Sequence, residues 1–101
     1  MRDPKILNEV KSTLALLADK FPGKAIEVRI PPYAAVQCGE GPKHTRGTPP
    51  NVIEMDAQTW LALASGERSW SDAYEEGLIS ASGVRANLSH LLPLTGARNE
   101  S

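Results

Sequence analysis

The stretch Asn51-Val-Ile-Glu-Met-Asp-Ala-Gln-Thr-Trp-Leu-Ala-Leu-Ala-Ser-Gly66 decides how this chain folds. Asn51 to Met55 reads as a short strand that closes on Asp56. Asp56 is a strong N-cap, because its carboxylate can accept one of the N–H groups left unpaired in a first helical turn; its loss costs roughly 1 kcal/mol. A Leu- and Ala-rich helix follows to about Ala64, and Ser65-Gly66 ends it. A strand leading directly into an apolar helix calls for a sheet with a helix packed on it.

Downstream, Ser69 caps a second short helix from Trp70 to about Glu76, and Gly77 breaks it. Leu78 to Ala81 reads as a fourth strand, Ser82-Gly83 as a turn, and residues 87–92 as a short helix stopped by Pro93. Thr95 to Ser101 reads as a frayed tail.

Upstream, Ile26, Val28 and Ile30 alternate with Glu27 and Arg29, the signature of a half-buried strand. Pro31-Pro32 interrupts, and Tyr33 to Cys38 supplies a hairpin partner. Ile6, Val10, Leu14, Leu17 and Phe21 recur at helical spacing over residues 3–21, behind Asp3-Pro4 as cap and first helical residue. The expected architecture is one α+β domain over residues 1–101. It has a four- to five-stranded mixed or antiparallel sheet with helices on one face.

Composition bounds the function. The 101 residues carry a formal net charge of −1, so no global field draws the chain to nucleic acid. Cys38 is the sole cysteine, which excludes an intrachain disulfide. The longest strictly apolar run, Leu14 to Ala18, is far short of the roughly 20 residues that span a bilayer. Stable membrane insertion is therefore not expected. The opening residues lack the apolar core of a signal peptide, and the expected location is cytoplasmic. Two Asn-x-Ser sequons, at Asn87 and Asn99, read as chance matches in that setting.

The succession of Asn51–Met55, Asp56–Gly66, Trp70-x-x-Ala73, Gly77-Leu-Ile-x-x-x-Gly83 and Leu88-x-x-Leu91 resembles the sterol carrier protein type-2 family. The run from Pro31 to Asp56, with Gln37-Cys-Gly-Glu-Gly-Pro42 and His44-Thr-Arg-Gly-Thr-Pro-Pro50, is similar to a compact bacterial branch of it. The pattern covers about residues 50–94; residues 1–49 follow it in element order. The resemblance implies an apolar pocket between sheet and helices that takes a lipid or other apolar ligand without catalysis or cofactor. Val28, Ile30, Trp60, Leu61, Ala64, Trp70, Tyr74 and Leu91 are the candidate lining residues. The two tryptophans read first as core, since each aromatic buries roughly 150–250 Å², with a pocket wall as the alternative.

The Gly39–Pro50 loop is a second candidate. Lys43, His44 and Arg46 lie among its glycines, an arrangement that suits an anion-binding nest or a protein partner. It is not a phosphate loop: Gly41 and Gly47 enclose five residues, and no Lys follows Gly47. An accessory, protein-binding domain using this loop is the alternative function. Cys38 and His44 could be written as a nucleophile and base, but a lone cysteine at a strand end reads better as a buried apolar residue. One Cys and two His make no zinc tetrad.

Overall fold

The computed structural model describes residues 3–41 and 51–94. Helix α1 (Pro4–Lys20) leads into β1 (Ile26–Ile30) and β2 (Ala34–Cys38). Next come β3 (Val52–Glu54), α2 (Ala57–Ser65), α3 (Trp70–Glu75), β4 (Ser80–Ser82) and a 3₁₀ turn at Ser89–Leu91. The caps are those the sequence implies. Asp3 Oδ1 accepts from Lys5 N–H at 2.9 Å, Asp56 Oδ1 from Thr59 N–H at 2.8 Å, and Ser69 Oγ from Asp72 N–H at 3.1 Å.

The described residues form one sheet of four strands, ordered β2-β1-β3-β4. It is mixed: β1 is antiparallel to β2 and parallel to β3, and β4 is antiparallel to β3. Val28, Ile30, Cys38 and Ile53 have no exposed surface and form the inner face. Helix α1 packs across β2 and against α2 on that side. Arg29, Glu54, Ala35 and Gln37 are exposed on the outer face, and Glu27 is half-buried there. Along β1, Arg29 Nε donates to Glu27 Oε2 at 3.0 Å. Glu27, with a smaller contribution from Glu54 on β3, raises the Arg29 pKa further above its ordinary value.

Three elements differ from the expectation. The fourth strand begins at Ser80 rather than Leu78, because Gly77 and Leu78 finish α3. Gly77 N–H donates to Tyr74 C=O and Leu78 N–H to Ala73 C=O, a Schellman cap with Gly77 at φ +77°. The third strand is shorter than Asn51–Met55: it spans Val52–Glu54, with Asn51 and Met55 each still joined to β1 by one backbone hydrogen bond. The expected closing helix is a single 3₁₀ turn, opened by Asn87 Oδ1 accepting from Ser89 N–H.

Candidate functional site

The sheet register brings the start of β1 and β3 to the same end as the close of β2 and β4: Ile26 lies opposite Cys38, and Val52 opposite Ser82. Three connections therefore meet at this end. They are the α1–β1 turn, the first residues after β2, and the segment after β4. Gly39 N–H donates to Phe21 C=O at 2.7 Å, and Ala25 N–H to Gly39 C=O at 3.1 Å, zipping the first two together.

Asn51 ties in the third. It is only 2% exposed. Its Nδ2 donates to Ala25 C=O at 2.7 Å, its Oδ1 accepts from Arg85 N–H at 2.8 Å, and its own C=O accepts from Glu27 N–H at 2.9 Å. Asn51→Ala strands a buried carbonyl and a half-buried N–H. At roughly 1–3 kcal/mol for each unsatisfied group, less for the one water can reach, the expected loss is about 2 kcal/mol. Urea denaturation measures it directly.

The three connections enclose an open cleft of ≈ 490 Å³, within the usual range of small-ligand sites. Phe21, Pro22, Ile26, Val84 and Leu91 give it apolar walls, while Lys20, Arg85 and His90 bring cationic or titratable nitrogen to it. Among the described residues, Glu40 is its only acidic lining residue. Lys20 Nζ also donates to Leu94 C=O at 3.2 Å. Among the described residues, the Arg85 guanidinium makes no ion pair.

A model of the bacterial SCP ortholog family matches residues 3–94. The chain belongs to that family. The match includes the first half, where the sequence pattern offered element order only, and it makes this a sterol carrier protein-like domain. None of the curated proteins matches the chain significantly.

In this domain the eight residues read from the sequence as one pocket lie in several places. Val28, Ile30 and Trp60 are fully buried in the core and border neither the end cleft nor three smaller clefts among the described residues. Trp60 instead donates from Nε1 to Thr13 Oγ1 at 2.8 Å, joining α2 to α1. Leu61 and Ala64 border a small groove of ≈ 210 Å³ against Glu9, Ser12 and Thr13. Trp70 and Tyr74 stack with ring centroids 6.4 Å apart and wall a cleft of ≈ 440 Å³. A further cleft of ≈ 320 Å³ has Trp70 beside Leu63 and Leu92. Of the eight, Leu91 alone borders the end cleft. The reason is geometric. Helical periodicity marks Trp60 and Leu61 as neighbours, yet it does not say which of them the neighbouring helix covers.

Lys43, His44 and Arg46 lie outside the described residues. Arg85, Lys20 and Asn51 escaped the sequence reading, because each earns its place through partners 26 or more residues away: Asn51 with Ala25 and Arg85, Lys20 with Leu94. A polar Asn at the head of an apolar strand was the one local signal.

Cys38 is fully buried, and burial pushes its thiol pKa up. A protonated, enclosed thiol is a poor nucleophile. Native labelling with a thiol reagent is therefore expected to be slow and to become fast on denaturation. Because the folded pKa lies above the unfolded one, the stability tied to Cys38 is full below the ordinary thiol pKa and declines as pH rises through it. Cys38→Ala is expected to flatten that alkaline decline, read from denaturation midpoints across the pH range. Among the described residues no group of three His, Cys, Asp or Glu is placed to hold a metal ion, and no helix is long and apolar enough to cross a membrane.

Proposed function

We propose that this domain is a non-catalytic carrier or binding module for a lipid or other apolar ligand, held in the end cleft. The observation that carries the reading is the cleft itself: apolar walls with a cationic rim, in a chain of the sterol carrier protein-like family. Its openness bears on affinity. An alkyl chain burying about ten methylenes there gains roughly 8 kcal/mol at about 0.8 kcal/mol each. Association costs about 4 kcal/mol or more, and a surplus near 4 kcal/mol corresponds to a Kd of about 1 mM. Binding through the tail alone is weak and readily reversed, as suits a carrier that must release its cargo. Trp70 and Tyr74, beside the adjacent cleft, are the proposed extension of the apolar surface.

Displacement of a fluorescent fatty acid, titrated to millimolar competitor, tests the reading. The expected result is saturable uptake that Leu91→Asp weakens about tenfold or more, since the change removes an apolar wall and sets a carboxylate in its place. No saturable uptake would overturn it in favour of an accessory domain that keeps the fold without a cargo.

A further inference from the structure

We propose that two copies of this chain pair edge to edge through β4, joining their sheets about a two-fold axis at Ala81. This goes beyond the carrier reading and stands on the backbone groups that the sheet leaves unused. Toward β1, strand β3 uses Asn51 C=O, which accepts from Glu27 N–H, and the following Met55 N–H, which donates to Arg29 C=O. Residues 51, 53 and 55 therefore face β1, and Val52 and Glu54 face β4. Ser82 and Ser80, their partners, spend their backbone groups on that pairing. Ala81 lies between them and aims its N–H and C=O out of the sheet, where neither finds a partner among the described residues.

β4 is an outermost strand of the sheet, and its edge is not blunted. Ser80-Ala81-Ser82 has neither the charge nor the proline that usually discourages strand pairing. The edge opens on the cleft of Trp70 and Tyr74, which Ala81 lines. The large apolar side chains exposed among the described residues gather around it: Val84 at 101%, Tyr74 at 53% and Leu78 at 37%. Val84 and Tyr74 line that cleft, and Leu78 lies two residues before the strand.

Self-complementarity selects the partner. A two-fold axis at Ala81 lets its one outward N–H and one outward C=O answer those of the second copy. The antiparallel register then sets Val84 of each copy opposite Leu78 of the other, so exposed apolar residues meet on both sides of the axis. It also sets Arg85 opposite Gly77, two residues from Glu75. Neither Arg85 nor Glu75 makes an ion pair among the described residues. Charges of both signs beside the edge are what a patch needs to complement itself. A foreign strand can take the same two hydrogen bonds, but it would have to match Leu78, Val84, Arg85 and Glu75 as well.

Cross-linking reads the register. Across the axis, Ser80 faces Ser82 of the other copy in a non-hydrogen-bonded pair with Cα atoms about 4.5 Å apart, inside disulfide range. Under mild oxidation, Ser80→Cys and Ser82→Cys chains are expected to cross-link when mixed, and neither with itself. Cys38 is fully buried and stays out of the exchange. Sedimentation velocity from micromolar to millimolar protein is expected to show a reversible dimer. Ala81→Pro removes the outward N–H without touching the ladder to β3, and should weaken the dimer about thirtyfold, the value of two hydrogen bonds. Val84→Asp should weaken it about a hundredfold, a factor of about ten for each of two buried valines. Arg85→Glu and Glu75→Arg should each weaken it, and the two together should restore it. Circular dichroism checks that each variant is folded, and Val84→Asp, at a fully exposed site, keeps the test decisive if Ala81→Pro unfolds. A monomer at millimolar concentration, self-cross-linking as fast as mixed, no mixed cross-link, or a dimer indifferent to Val84→Asp overturns the proposal. Fatty-acid displacement is a separate readout: uptake by a strictly monomeric chain sinks the dimer alone, and a dimer without uptake sinks the carrier reading alone.

Discussion

Trp60→Ala is expected to destabilise the domain by about 4 kcal/mol, within the roughly 3–5 kcal/mol seen for removing a large aromatic from a core. Trp60 has no exposed surface and sits where α2 meets α1. Its removal leaves a cavity that helices anchored on a sheet cannot close, and it also takes away a partner. Thr13 Oγ1 accepts from Trp60 Nε1 at 2.8 Å while donating to Glu9 C=O at 2.6 Å, so one hydroxyl serves both helices. A domain of this size has a total stability of roughly 5–15 kcal/mol, and the substitution uses up much of it. Urea denaturation followed by far-UV circular dichroism measures the loss. Trp60→Phe keeps most of the volume and is expected to cost about 1–2 kcal/mol, chiefly through the lost hydrogen bond. A double-mutant cycle with Thr13→Val should return a coupling of about 1 kcal/mol between the two sites. No coupling would show that the contact is packing only.

Gly23→Ala is expected to cost about 3 kcal/mol or more, and to impair ligand uptake along with stability. Gly23 has φ +144°, a region that side-chain-bearing residues rarely adopt, and a Cβ built there would collide with the Gly39 carbonyl group. Relief requires the 21–25 and 39–40 segments to separate. The Gly39-to-Phe21 and Ala25-to-Gly39 hydrogen bonds hold them together. Backbone strain of this kind costs about 1–3 kcal/mol and overpacking a similar amount. Because Phe21, Pro22, Gly39 and Glu40 line the end cleft, the same displacement reshapes it. Denaturation gives the stability term and fluorescent fatty-acid displacement the binding term. Gly77→Ala makes an informative contrast. It also has positive φ, at +77°, but a Cβ there meets nothing within 4 Å, so its cost is conformational strain alone.

Much of the fold was legible from local chemistry. Asp3, Asp56 and Ser69 each cap the helix they were expected to cap, because the interaction spans two or three residues and needs no distant partner. Ile26 to Ile30 alternates as a strand because one face of the sheet is dry and the other wet. Leu78 misled because apolar, β-prone residues after a glycine read as a strand, whereas its N–H was already committed to Ala73 C=O. The site was less legible. Trp60 and Trp70 are conspicuous in sequence, and one of them holds two helices together. Asn51 and Arg85 are inconspicuous, and they shape the cleft.

The amino-acid sequence by itself determined the element order, the caps, the face of the sheet that is buried and the family resemblance, since each depends on residues a few positions apart. Tertiary structure alone decided which end of the sheet gathers three connections, and therefore where a cleft opens. It also decided which apolar residue, Val84, is left in water beside Arg85. Those outcomes rest on strand register and on contacts between segments far apart in the chain, where a shift of one residue would turn every side chain to the opposite face.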